Sequence, residues 1–252
     1  MKIKPILFNT EMVRAILDGS KTVTRRVIKL KYSNTHIEWK NDKYGKRLIE
    51  LQNDVEGETH GRNPDGSTWH KLLAYRDLKA PYTKGDILYV RETWTCWRAH
   101  RYEANADIKY KAGGEDKRIY FSNGNTDNPC RDDYDSFVNK WYSYAMKWRP
   151  SIHMPKEAAR IWLKVIDVRV ERLQCITEEQ AIKEGFDPGS CQHEGAVWGQ
   201  EDGDEWTAKT AFIALWDSTI DKKDLDKYGW DANPWVWVIE FERCEKPEEG
   251  SR

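Results

Sequence analysis

Residues 16–26 read "ILDGSKTVTRR", and the order of residue types along this stretch decides how the chain is read. Met12, Ala15 and Ile16 share one face at helical spacing, and Gly19 lies just past the last periodic residue, where helices end. From Lys21 the period changes from 3.6 to 2. Val23, Arg25 and Val27 take one side of a strand, and Thr22, Thr24 and Arg26 take the other. Lys21 sits at the bend between the two elements, from which its amine can swing over the Thr22–Thr24–Arg26 face. Upstream, "KPILFN" reads as a short buried strand, and Thr10 is the expected N-cap of the helix.

A lysine beside a threonine has chemical meaning when the amine is a base. Threonine is a weak nucleophile until a neighbour takes its proton. An amine does so only if burial or nearby positive charge lowers its pKa, and Arg25 and Arg26 supply such charge. The same residues also suit a plain solvated strand. A carboxylate strengthens the first reading. Glu184, in the last turn of "TEEQAIKEG", sits where the helix dipole disfavours negative charge. It is therefore either exposed at a small cost or held by a cation. That helix carries a Thr177–Gln180 capping box and closes at Gly185.

Elsewhere, "KGDILYVRETWTCW" (84–97), "IWLKVIDVRVERLQCI" (161–176) and "NPWVWVIEFERCE" (233–245) read as strands. In the last of these, Trp235, Trp237, Ile239 and Phe241 share a face. "EWTAKTAFIALWDSTI" (205–220) is an amphipathic helix, and "WRPSIHMPKEAAR" (148–160) gives a turn and a short helix starting at Pro155. Two segments are less regular. Residues 31–82 contain a hairpin, "HIEWKNDKYGKRLIEL", with little core of its own. Residues 98–147 have one clear feature, a hairpin turning at Gly113-Gly114. "RETW" (91–94) and "WRPSIHMP" each set arginine beside tryptophan, a pairing that clamps a base or phosphate or simply packs.

Composition narrows the function classes. The 252 residues are 39% hydrophobic and 33% charged, with a formal net charge of −1. That balance argues against a non-specific nucleic-acid coat but leaves room for a local basic groove. No apolar run approaches the roughly 20 residues of a membrane span, and no signal peptide is apparent, so the cytoplasm is the expected compartment. Five scattered cysteines without a CxxC pair fit reduced thiols. Cys191, His193 and Glu194 are metal-ligand types, but no second pair at finger-like spacing accompanies them. The thirteen tryptophans divide between core filling and stacking on a flat ring in a ratio that composition does not give.

Taken in order, "ILDGSKTVTRR", "KGDILYV", "IWLKVIDVRVERL", "ITEEQAIKEGF" and "WVWVIEFE" resemble the ASCH domain, a small barrel related to the PUA RNA-binding fold. The first matches its GxKxxTxR-type signature. With "RETW", "KWRPSIHMP" and "NPWVWVIEFE", the layout is similar to a longer subgroup found in phages and prophages. The resemblance implies an α+β fold: a PUA-like small mixed β-barrel with short flanking helices and two long insertions. It implies one domain over residues 1–252, with core segments at about 1–30, 83–97, 148–187 and 205–245 and insertions at about 31–82 and 98–147.

Some ASCH proteins are similar to amidohydrolases that remove an acyl group from the exocyclic amine of cytidine with a lysine, a threonine and a glutamate. Carried over by motif, these are Lys21, Thr24 and Glu184. Lys21 takes the proton of Thr24, whose oxygen attacks the amide carbonyl, and Glu184 orients Lys21 and helps protonate the leaving amine. Backbone N–H groups near the Gly19 turn hold the oxyanion. Arg26, Thr22, Arg91, Trp94 and Arg149 are the expected substrate contacts, and no metal or cofactor is implied. The alternative is a module that binds RNA or a modified nucleobase, or a ribonuclease, without amidohydrolase turnover. Partners on either reading are a nucleoside or RNA, not a membrane, in the host cytoplasm if the chain is phage-encoded.

Overall fold

The computed structural model describes residues 1–31, 35–43, 45–53, 60–62, 64–65, 68–70, 72–121, 130–186 and 207–248. Strand β1 (Ile3–Leu7) leads into helix α1 (Thr10–Leu17), which is followed by β2 (Val23–Val27). Strands β3 (Thr35–Asp42), β4 (Gly45–Asn53), β5 (His60–Arg62), β6 (Thr68–His70) and β7 (Leu72–Leu78) come next. Then follow β8 (Ile87–Arg91), β9 (Trp94–His100), β10 (Asn105–Tyr110), β11 (Lys117–Tyr120) and α2 (Arg131–Trp141). The order ends with β12 (Trp162–Arg172), α3 (Glu178–Lys183), α4 (Ala208–Thr219), α5 (Leu225–Tyr228) and β13 (Trp235–Cys244). The fold is mixed α+β and mostly sheet, and no helix among the described residues is long and apolar enough to cross a membrane.

The chain separates into two compact units. Residues 27–81 form one, and residues 1–26 with 82–252 form the other. The smaller unit holds a three-stranded antiparallel sheet, β3-β4-β7, and the β5-β6 hairpin. Its buried apolar residues include Leu48, Ile49 and Leu51 of β4. Glu50 is fully buried between them and accepts from the Lys31 N–H at 2.7 Å and from Arg76 at 2.6 Å. Alternation puts this one carboxylate inward, and the pairing offsets its desolvation.

The larger unit is built on a five-stranded sheet in the order β1-β8-β12-β13-β2. β1 runs parallel to β8, which is antiparallel to β12, as β12 is to β13. A closed barrel is the sequence expectation, but β1 and β2 are the edges of an open sheet, with no ladder between them among the described residues. At that seam the Arg26 guanidinium donates to the Leu7 carbonyl at 2.7 Å, so a side chain occupies an acceptor that a closing ladder would use. β13 lies second from that edge. Val236 and Val238 are buried as well as Trp237, Ile239 and Phe241, so both of its faces are covered and not only the tryptophan face.

A second sheet, β11-β10-β9, belongs to the same unit, although the sequence suggests an irregular insertion there. Its core of Trp94, Cys96, Ala106, Ile108 and Tyr110 packs against α2 through Phe137 and Trp141. The α1 N-cap is Asn9, one residue before the expected Thr10, and its Oδ1 accepts the Met12 N–H at 2.8 Å. The short helix expected at Pro155 is a single 3₁₀ turn, Lys156–Ala158.

Asp86, buried at the entry to β8, accepts from the Lys2 and Thr83 amides, each at 3.1 Å, and from Lys4 at 2.8 Å. Burial alone raises its pKa, but the Lys4 ammonium and the two amides outweigh it and hold the carboxyl down at about 2. The folded value lies below the ordinary 3.8, so the stabilisation is full above that pH and disappears as pH falls toward 2. It amounts to about 2 kcal/mol. In urea unfolding, the stability gap between wild type and Asp86→Asn is expected to be about 2 kcal/mol larger at pH 7 than at pH 2.

Candidate functional site

α1 ends at Leu17, and Gly19 takes the left-handed conformation (φ +87°) that turns the chain back toward the sheet. Three successive amides tie the turn down. The Ser20 N–H donates to Asp18 Oδ1 at 2.9 Å, the Lys21 N–H to the Ala15 carbonyl at 2.8 Å, and the Thr22 N–H to the Lys183 carbonyl at 2.9 Å. These three amides are engaged in holding the turn, so the expected oxyanion contact near Gly19 does not fall on them.

The third of those bonds sets the end of α3 beside the start of β2, and Lys21 and Glu184 form a β-bridge across 163 residues of chain. Gly185 (φ +94°) permits the approach. A Cβ there would lie 2.7 Å from the Ala15 Cβ and 3.1 Å from the Lys21 Cβ.

Lys21 Nζ donates to Glu184 Oε2 at 2.7 Å and to the Glu184 carbonyl at 2.8 Å. The other carboxylate oxygen, Oε1, accepts from Arg25 Nη1 at 3.1 Å. Arg25 Nη2 donates to Gln180 Oε1 at 2.6 Å and reaches Glu171 at 3.5 Å. The side chains are almost fully enclosed: Lys21 and Arg25 are 0% exposed and Glu184 3%. The helix-end carboxylate is thus the cation-held one of the two options in the sequence. Burial pushes the Lys21 amine below its ordinary value. Glu184 opposes that shift, and Arg26 and Arg25 add to it.

Thr24 is also buried, and it lines a pocket of about 180 Å³ with Asn9, Arg25, Arg26, Glu184 and Thr219 as its other polar wall. The apolar wall includes Met12, Phe186, Phe212 and Trp216. The last two stand one turn apart on α4, a spacing that was readable in "FIALW". Glu178 fixes the start of α4 against α3, its carboxylate accepting the Ala208 and Lys209 N–H groups at 2.6 and 3.0 Å. Lys21 lies behind Glu184 and Thr24, outside the lining itself, and no hydrogen bond joins it to Thr24 among the described residues.

The structure therefore brings Lys21, Thr24, Glu184 and Arg26 together and leaves the other expected contacts elsewhere. Thr22 is a structural link, its carbonyl accepting from the Phe241 N–H at 2.9 Å. Arg91 sits beside Leu7 in the β1–β8 ladder but donates to the Ile152 carbonyl at 3.2 Å and is not in the pocket lining. Trp94 is fully buried in the second core. Arg149 pairs with the Trp94 backbone, donates to the Trp141 carbonyl and covers the Trp141 ring, so this Arg–Trp pairing is packing. From the sequence, Arg25 enters only as positive charge near Lys21 and Gln180 only as a capping residue, and neither is an expected site residue. The structure makes both partners in the site, Arg25 on Glu184 and Gln180 on Arg25.

No three His, Cys, Asp or Glu side chains gather in the manner of a metal site among the described residues. Cys191, His193 and Glu194 lie outside them. Comparison of the chain with family models, curated proteins and solved structures finds no match.

Proposed function

We propose that this protein is an amidohydrolase of ASCH/PUA-like type that removes an acyl group from the exocyclic amine of a cytosine nucleoside. The observation that carries the reading is the enclosed Lys21–Glu184 pair directly behind a pocket wall that contains Thr24. A lysine that is desolvated, has two arginines nearby, and retains one carboxylate as partner is a lysine poised to lose its proton.

Arg25 gives this arrangement its logic. When Lys21 is neutral, Glu184 still has a cationic partner in Arg25, so deprotonation of the amine does not strand a buried carboxylate. In the free protein Lys21 donates to Glu184. With substrate bound, the neutral amine turns to Thr24 and accepts its hydroxyl proton while Oγ1 attacks the amide carbonyl. Collapse of the tetrahedral species breaks the C–N bond. The cytosine amine leaves with a proton from the Lys21–Glu184 pair, and the acyl group stays as an ester on Thr24. Water then attacks the ester, with Lys21 again the base. Phe186, Phe212 and Trp216 supply flat apolar surface for the ring.

The expected result is hydrolysis of acetylcytidine, followed by ultraviolet absorbance, that falls at least about 10³-fold in Thr24→Ala. Thr24→Ala is expected to melt within a few degrees of wild type. No turnover by folded wild-type protein would remove the hydrolase reading.

A further inference from the structure

Among the charged side chains that line the pocket, donors outnumber acceptors. Both Glu184 carboxylate oxygens are already engaged, Oε2 by Lys21 and Oε1 by Arg25. The guanidinium groups keep donors to spare. Arg25 Nε is buried and has no partner among the described residues. Arg26 lines the pocket and uses Nη2 on the Leu7 carbonyl, and among the described residues no carboxylate pairs with it. Its ring neighbour is Phe8, 5.4 Å from the guanidinium carbon, which satisfies none of its N–H groups. The Thr24 hydroxyl adds a further polar group on the same wall.

Charge points the same way. Lys21, Arg25 and Arg26 surround one carboxylate, Glu184. Glu171 reaches Arg25 at 3.5 Å but lies nearer Arg169, at 2.5 Å. A half-buried guanidinium without a carboxylate partner is a ready donor for an anion. Burial pushes Arg26 below its ordinary pKa, with only Tyr82 and Glu184 opposing the shift. A transient oxyanion would use one of these donors for the moment of reaction. A standing excess of positive charge and at least two unengaged N–H positions fit an anion that is present in the ground state.

We infer that the pocket takes a phosphate-bearing base, a nucleotide rather than an uncharged nucleoside, with Arg26 and the Arg25 Nε–H on the phosphate oxygens. The phosphate has two sources, a free mononucleotide or the backbone of a single strand. A pocket of about 180 Å³ lies below the roughly 300–1,000 Å³ of drug-sized sites, so it holds the charged group and one ring edge. The identity of the ring as cytosine rests on the hydrolase reading, whereas the anion does not.

Calorimetric titration at low salt with cytidine, cytidine 5′-monophosphate, inorganic phosphate and a short single-stranded oligocytidylate tests this. The monophosphate is expected to bind at least about tenfold tighter than cytidine, and inorganic phosphate to compete with it. That advantage is expected to shrink to under about twofold in Arg26→Met and to persist in part in Arg26→Lys. Tighter binding of the monophosphate than of the oligonucleotide makes the source a free nucleotide. The reverse makes it a strand, and either upholds the anion. Equal affinity for cytidine and its monophosphate in wild type overturns the inference, as does an advantage that survives in folded Arg26→Met. If Arg26→Met does not fold, the wild-type comparison decides alone. A phosphate preference without hydrolysis of either acetylcytidine or its 5′-monophosphate removes the hydrolase reading and keeps the anion site, and hydrolysis without the preference does the opposite.

Discussion

Glu184→Ala is expected to lower the folding stability by about 3–5 kcal/mol, because it leaves two enclosed cations without their common partner. Lys21 and Arg25 both bond to Glu184, and neither side chain has measurable exposure. The penalty falls unevenly on the two cations. Arg25 keeps Gln180 at 2.6 Å, whereas Lys21 keeps only the residue-184 carbonyl. The variant therefore relieves itself by releasing the Lys21 proton.

This gives the prediction a pH signature. In the wild type the folded Lys21 pKa already lies below its unfolded value of 10.5. A group lowered in the folded state favours folding increasingly as pH rises toward the unfolded pKa. Without Glu184, which opposes the lowering, the folded value drops further, so the gap between wild type and Glu184→Ala is expected to narrow as pH rises from the variant's folded value to the wild type's, both below 10.5. Urea unfolding across that range measures it. The double variant Glu184→Ala/Lys21→Met should recover a large part of the loss, since the stranded charge is gone. A Glu184→Ala penalty below about 1 kcal/mol would mean that the pair is exposed in solution.

Much of this site was legible because its signals are local. The glycine at position 19, the switch from period 3.6 to period 2 at Lys21, and the Thr177–Gln180 capping box each depend on a few adjacent residues, and each marks a real element boundary. The Glu184 argument was also local, since a carboxylate at a helix C-terminus is either exposed or held by a cation. Which cation, and from how far along the chain, is tertiary information. Arg25 illustrates the limit. Its role as positive charge near Lys21 followed from the sequence, but whether a strand arginine points to solvent or to a carboxylate 159 residues away does not.

The helix α2 was illegible for a related reason. "RDDYDSFVNKW" has few apolar residues, and its N-cap, Cys130, makes no side-chain capping bond. The segment is held by Tyr134, Phe137 and Trp141, which pack on Phe121 and Trp94. The open sheet in place of a barrel depends on a seam where Arg26 meets Leu7, and no strand pattern encodes that.

Trp94→Ala is the second large effect, an expected loss of about 3–5 kcal/mol with little change in the affinity of the pocket for its ligand. Trp94 is fully enclosed, its ring 5.4 Å from Trp141 and 6.3 Å from Phe137. Its backbone N–H donates to the Arg149 carbonyl at 3.2 Å and its carbonyl accepts from the Arg149 N–H at 2.8 Å. The side chain therefore seals the junction of β9 with α2 and the 142–149 segment. A base-stacking tryptophan behaves in the opposite way, losing affinity and sparing the fold. Trp94→Phe sharpens the contrast. The indole N–H is buried with no partner among the described residues, so the smaller ring removes an unsatisfied donor as well as packing volume. Its net cost is expected to be only about 1–2 kcal/mol. Denaturation midpoints for the two variants, set beside ligand titrations, give the test. A ligand affinity that falls tenfold in Trp94→Phe at unchanged stability would return Trp94 to the binding surface.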